Sequence, residues 1–479
     1  MRENLIFIFM LNLKTGSLKL ALIFFIGAIL FVMPAPEGLS AKSWNLLIIF
    51  SATVAGAILN PMPMGVLVML SILVSLLTDT LTLTQAFSGF GSYIVWLVVF
   101  AFFISRAIIK SNLGKRIAYY FIAKLGHSII GLSYGLIFTE LFLAPFIPSA
   151  SARGGGVIFP VVQALTDQYN FVSAGKHDTR IRQFLMQLCF QANVITSSMF
   201  LTAMAGNPLI SGLASGIGID LSITKWALGA IVPGICALLI LPFIIKFVIK
   251  PNVNNMVHAP ILAQTVLKDI GPFSRNEIMV LITFAVLIIL WVGGSFFGVD
   301  ATTTALLGFI LLLLTGVITW DDAMNEKEAW RTFIWFAGFV MLSKFLSEMG
   351  VTKWVGDNIE EALSSYNVTF AIPILLILFF YMHYFFASIT VYASVMYATF
   401  AMLLIALGVP PLVTALVLAV LANLSACLTH YGTTSAPIFF GSSHMSVKSW
   451  WAAGFIIGVF HLLIWSTLGI CWLEALGWL

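Results

Sequence analysis

Apolar runs as long as a bilayer is thick decide most of what this chain can fold into. LKLALIFFIGAILFVM (18–33) and EIMVLITFAVLIILWVGGSFF (277–297) are two of several. A hydrocarbon core of about 30 Å takes roughly 20 helical residues. Inside it every backbone polar group needs a partner within the protein, which leaves helices or closed barrels. The alternating pattern of a barrel strand is absent, so the sequence predicts an all-α polytopic membrane protein. Composition agrees: of 479 residues, 60% are hydrophobic and 9% charged, against about 45–50% and about 25% in soluble domains.

The net charge of +4 is ordinary for such a protein, because cytoplasmic loops are rich in Lys and Arg. No basic run marks a nucleic-acid partner. Cys189, Cys236, Cys427 and Cys471 lie far apart in apolar segments, without metal or disulfide spacing, and read as buried helix residues. The opening MRENLIFIFMLNLKTGSLKLAL has no small-residue cleavage site after its first apolar run. It reads as a retained interfacial or signal-anchor segment, which favours a bacterial plasma membrane.

The chain repeats itself at about half its length. SYIVWLVVFAFFISRAIIKSNLGKRIA (92–118) resembles RTFIWFAGFVMLSKFLSEMGVTKWVG (331–356), with Trp96 answering Trp335 and Lys115 answering Lys353. Further on, PSASAR (148–153) is answered by ASITVY (387–392), and QANVITSSMFLTAMAGNPL (191–209) by LANLSACLTHYGTTSAPI (421–438). Between Arg106 and Lys124 stand Arg106, Lys110, Lys115, Arg116 and Lys124 with no acid. The matching stretch holds Lys344 and Lys353 against Glu348, Asp357, Glu360 and Glu361. Opposite charge bias in equivalent segments favours inverted repeats. The resulting expectation is about eleven spans and two re-entrant hairpins, at 128–165 and 368–407. The N-terminus is then cytoplasmic and the C-terminus external, with Lys176 on the cytoplasmic side. The acidic loop 320–331 also falls inside, where it fits the charge rule poorly.

Four breaks, PSAS, AGNP (205–208), ASIT and THYGTTSAP (429–437), interrupt apolar segments at corresponding places in the two halves. Such breaks point to a transporter's binding site near the midplane, where helix N-termini suit an anion. Arg153 sits in one break. A charge at membrane depth normally faces a cavity, and a guanidinium fork matches a carboxylate. Its alternative is snorkelling or pairing with Glu140. His430 is the second candidate cation, its alternative a neutral ring satisfied by neighbours; His383 reads as structural. Ser149, Ser151, Ser388 and Thr390 offer hydroxyls at matching tips, and Asn193 and Asn207 either bind or cap. Thr196, Thr429 and Gly432 complete the candidate set.

These residues resemble the divalent anion/sodium symporter family. PSASARGGGVIFP (148–160) and FASITVYASVMY (386–397) resemble its two Ser-Asn-Thr hairpin tips. NVITSSMFLTAMAGNPL (193–209) and NLSACLTHYGTTSAPIFFGSSH (423–444) resemble its paired broken helices. The wording is closest to the branch holding bacterial citrate/succinate antiporters and plastid 2-oxoglutarate/malate translocators. The resemblance implies a homodimer, with scaffold helices at 1–127 and 277–366. It also implies an elevator-type transport domain at 128–250 and 367–479, a cytoplasmic connector at 251–276, and dicarboxylates bound between the tips. The middle asparagine of both signatures is replaced, by Ala150 and Ile389, whose side chains offer a sodium ion no oxygen.

With fixed cations in its place, the expectation is a sodium-independent dicarboxylate antiporter with no cofactor. A site left positive when empty resists crossing the bilayer unloaded. A sodium- or proton-coupled di- or tricarboxylate symporter is the alternative, since backbone carbonyls can also hold sodium. An intramembrane enzyme is remote, because HExxH and an acid to orient a Ser/His pair are missing.

Overall fold

The computed structural model describes residues 2–172, 179–253, 255–363 and 368–479. Among them the secondary structure is helical apart from one isolated bridge, Ser128 with Asn255. Lys176 and the 366/367 domain boundary lie outside the described residues. Hydroxyl residues start the helices: Ser40, Ser222, Ser274 and Ser446 each accept a backbone N–H three residues on. Asn60 and Asn112 end helices in the left-handed conformation that asparagine tolerates.

Among the described residues eight helices are long and apolar enough to cross a membrane. The count is nine if Lys327–Glu348 and Val351–Asn358, bent by 65°, form one span. The difference from about eleven has two causes. Gly16–Val32, Met64–Leu77 and Ala301–Leu314 are apolar but short. Thr179–Met199 is too polar, yet its Gln187, Gln191, Asn193, Thr196, Ser197 and Ser198 are all buried. That polarity faces protein, not lipid.

Both expected hairpins are present as helix pairs. Ile129–Leu143 turns through 144–149 into a helix that begins at Ala150 and runs through a π-bulge, Gly154–Ile158, to Val172. Val368–Tyr381 turns through 382–388 into Ile389–Ala406. Ile129–Phe146 and Ile389–Ala406 are each as long as a span, so length does not separate a re-entrant arm from a crossing helix. The first broken helix stops at Met199 and restarts at Gly206, so the interruption lies at 200–205 and AGNP opens the second half. The second stops at Leu428, after a 3₁₀ turn, and restarts at Ala436.

The acidic loop 320–331 is matched by a basic partner. Lys110 pairs with Asp322 at 2.5 Å, so the acids near 320 sit against the basic end of Tyr93–Ser111. Partial burial pushes the Asp322 carboxyl up, but the Lys110 ammonium and the Thr319 N–H and hydroxyl outweigh it and hold it below its ordinary value. Nearby, the amphipathic helix Leu113–Leu125 is fastened through buried Arg116. Its guanidinium donates to Glu277 at 2.5 Å and to the carbonyls of Gly271 at 2.8 Å and Pro272 at 3.0 Å. Of the cysteines, Cys189 and Cys427 are buried, but Cys236 is half-buried and Cys471 exposed. For Cys471 this corrects the buried reading.

Candidate functional site

The first tip is organised around Arg153, which is 0% exposed. Its Nε donates to Glu140 Oε1 at 2.8 Å, Nη1 to the Ile147 carbonyl at 2.5 Å and to the Ala203 carbonyl, and Nη2 to Ser197 Oγ at 2.7 Å. A guanidinium has five N–H groups, so at most one is left over. Arg153 is therefore not free to fork a carboxylate, which corrects the expectation that it faces the anion. The pairing with Glu140, the alternative in the sequence, is what forms. The physical reason is the broken backbone: Ile147 and Ala203 lie where helices stop, and a buried carbonyl without a partner is costly. Arg153 closes both.

Asn193 extends this cluster, donating to Glu140 Oε1 at 2.6 Å and to the Ala150 carbonyl at 3.1 Å. Thr196 Oγ1 donates to the Asn193 carbonyl at 3.2 Å, and Thr202 Oγ1 ties the break to Pro145 at 2.7 Å. Ser149 and Ser151 are half-buried and lie 3.1 Å apart through their hydroxyls; Ser149 also caps its helix at the Ala152 N–H. The glycines after Arg153 have a packing reason. A Cβ on Gly154 would sit 2.9 Å from Phe439, and one on Gly155 2.7 Å from Ile438. The first hairpin thus lies directly on the helix that follows the second break.

The second half uses other chemistry. Ser388 caps Ile389–Ala406 and is half-buried, as is Thr390, whereas Ile389 is buried. Buried His383 approaches the Gly432 carbonyl through Nε2 at 3.1 Å and so ties this hairpin to the second break. A Cβ on Gly432 would lie 2.8 Å from that nitrogen, so only glycine fits. Thr429 Oγ1 is buried with no partner among the described residues. His430 points elsewhere. Its Nδ1 accepts from Trp451 Nε1 at 3.0 Å, amid the rings of Tyr431 and Phe440. Indole only donates, so Nδ1 carries no proton here and the ring is neutral. The expectation of a second cation is corrected to a neutral ring whose Nε2–H can donate.

Two cross-bonds join the halves. Ser435 Oγ donates to Asn193 Oδ1 at 2.9 Å, and Asn423 Nδ2 donates to Asn207 Oδ1 at 2.8 Å. Each asparagine of a pre-break helix reaches the start of the other half's post-break helix. In addition, a Cβ on Gly206 would sit 3.6 Å from Thr390 Oγ1. Three helix starts, at Ala150, Gly206 and Ala436, are thereby linked through one polar network, and the fourth, at Ile389, packs against Gly206. The second tip also opens on a cavity of about 300 Å³, lined by Ser388 and Phe386 on one side and by Asn60 and Met64 on the other.

The structure thus brings together Ser149, Ala150, Ser151, Arg153, Asn193 and Thr196, and joins Ile389, Thr390, Asn207, Thr429 and Gly432 to the same framework. It leaves His430 on an aromatic flank. Sequence reasoning did not select Ser197, Asn423 or Ser435. The repeat carried the signal for one of them, because Asn423 is the counterpart of Asn193.

The profile of the sodium:sulfate symporter transmembrane region matches residues 14–479. A Bacillus subtilis chain, YflS, whose name provisionally assigns it malate transport, is 44% identical over 94% of this chain and 95% of its own. Dicarboxylate transporter 1 of Arabidopsis thaliana chloroplasts is 42% identical over 94% of this chain and 82% of its own. Among solved structures, the YdaH transporter of Alcanivorax borkumensis covers 98% of both chains with a TM-score of 0.52 at 14% identity, a likeness of fold alone. Both the polytopic all-helical reading and the resemblance read from the two tips hold: the chain belongs to the sodium:sulfate symporter family and is a multi-pass membrane transporter, not an enzyme.

Proposed function

We propose that the chain carries small dicarboxylates across the membrane by exchanging one for another without sodium. One observation carries this reading, the gathering of four helix starts at two hydroxyl-bearing tips. Each helix N-terminus is equivalent to roughly +0.5 charge, so four amount to about +2, the complement of a dianion. The names of the malate and dicarboxylate relatives agree. The Arg153–Glu140 pair is neutral as a unit, so the attraction comes from backbone and from Ser149, Ser151, Ser388 and Thr390. A site with this uncompensated field resists crossing hydrocarbon empty and crosses readily when filled, which is the logic of exchange.

Sodium independence rests on the oxygens. Ala150 and Ile389 supply none from their side chains, and Ile147 O, Ala203 O and Ser197 Oγ are engaged by Arg153. The reciprocal bonds Asn193–Ser435 and Asn207–Asn423 support two inverted repeats. With them goes the family arrangement: a transport domain holding both hairpins that moves against the scaffold, in a homodimer in the plasma membrane with a cytoplasmic N-terminus. Cation-coupled symport is the second reading. It is favoured by the buried oxygens Asn423 Oδ1 and Thr429 Oγ1, which are unpartnered among the described residues. Competition in proteoliposomes tests the substrate class: unlabelled succinate, malate and 2-oxoglutarate displace a labelled dicarboxylate, and monocarboxylates do not. Equal displacement by monocarboxylates would refute a site matched to two charges.

A further inference from the structure

The largest cavity described, about 430 Å³, is far from the tips. It lies between the first three helices, walled by Ile23, Gly27 and Phe31 of the first, Ala52 of the second, and Leu67 and Leu70 of the third. Three hydroxyls line it, and each is already spent on its own helix. Thr53 donates to Ile49 O at 2.7 Å, Ser71 to Val68 O at 2.7 Å and Thr78 to Val74 O at 2.8 Å. A wall that is apolar apart from three hydroxyls whose protons are already donated holds water weakly, and close-packed protein does not leave such a volume empty. Small residues create the space, since a Cβ on Gly27 would meet nothing within 4 Å. The first helix turns its other face outward, with Leu22, Phe25 and Ile29 exposed, so at membrane depth the medium at this cavity is hydrocarbon.

We infer that this cavity is a binding site for one acyl chain of a membrane phospholipid. Lys19, next to the lining Leu20, donates to the Leu59 carbonyl at 3.0 Å and is exposed. Its ammonium keeps further N–H groups and stands at the end of the apolar slot, so cation and slot would match head and tail of one molecule. Leu67 walls this cavity and also the 300 Å³ cavity at the second tip. The chain therefore seats directly behind the wall that faces Ser388.

The test is photolabelling of the purified protein in phosphatidylglycerol vesicles carrying a diazirine on the acyl chain, with adducts located by peptide mass spectrometry. The expected adducts concentrate in 20–31, 48–53 and 67–78, and Gly27→Phe removes them while labelling at the exposed Phe247 persists. Wild-type adducts spread evenly over all lipid-facing helices would overturn the site, even if the variant failed to fold. So would cross-links joining the first helices of two copies through this cavity, which would make the occupant protein.

Discussion

Two helix breaks occupy corresponding places in the two halves, yet they are closed by different means. The first is sealed by charge. Arg153 and Glu140 meet in the interior, and the guanidinium takes up the carbonyls that the broken helix and the hairpin leave without partners. The second is closed by neutral groups, His383 on Gly432 and Asn423 on Asn207. It leaves Thr429 Oγ1, Asn423 Oδ1 and His383 Nδ1 unpartnered among the described residues, while the first leaves Glu140 Oε2, with Gln187 and Gln191 Oε1 further along its helix. Buried polar atoms of that kind normally carry water. The cavity beside Ser388 lies on this same side. The comparison teaches that charge here seals backbone, and that the tip of the half closed by neutral groups is the one lining a cavity.

Breaking the seal is expected to have the largest effect. Arg153→Ala strands Glu140 in the interior and is expected to destabilise the fold by about 3–5 kcal/mol, read as a fall in melting temperature of the detergent-solubilised protein. Arg153→Met combined with Glu140→Leu is expected to recover much of that loss, because a buried ion pair replaced by apolar residues is often neutral. Recovery of stability without recovery of transport would assign Arg153 a role in the substrate site after all. In the second half, Gly432→Ala forces a methyl group towards His383 and is expected to cost about 1–3 kcal/mol. His383→Ala in the same chain relieves the clash, and failure of that relief would remove His383 from its place against Gly432.

Smaller effects sharpen the contrast between the charge-sealed and the neutral half. Trp451→Phe removes the indole N–H that His430 Nδ1 accepts, at a stability cost of about 0.5–1.5 kcal/mol. Dicarboxylate transport by the folded variant is expected to match the parent's. A loss of transport beyond the loss of stability would return His430 to the anion path. Last comes the Lys110–Asp322 pair, partly exposed and worth about 0.2–1 kcal/mol. Asp322 has its carboxyl held low, so its contribution is present at neutral pH and is lost as pH falls through that lowered value. Asp322→Asn is expected to remove this acid sensitivity from the melting curve.

The parts legible in the sequence are those governed by length, punctuation and repetition. The spans, both hairpins, the tip residues Ser149 and Ser388, and the interrupted helices follow from apolar run length and from paired breaks. The orientation of buried polar side chains does not, because it depends on which carbonyls a break leaves unpaired. Arg153 in sequence is a charge among small residues. Only the positions of Ile147 and Ala203 turn it inward, and only Trp451 turns His430 into an acceptor. Thr179–Met199 is the same lesson at helix scale, since its polar residues look unsuited to a membrane until protein surrounds them.

Proteoliposome uptake of a radiolabelled dicarboxylate tests the central claim most directly, comparing vesicles preloaded with dicarboxylate against empty ones, each with and without an inward sodium gradient. Four uncompensated helix starts and a sealed first break predict uptake that requires internal substrate and ignores sodium. Concentrative uptake into empty vesicles driven by sodium would contradict it, and would give the unpartnered oxygens of the second break to a cation.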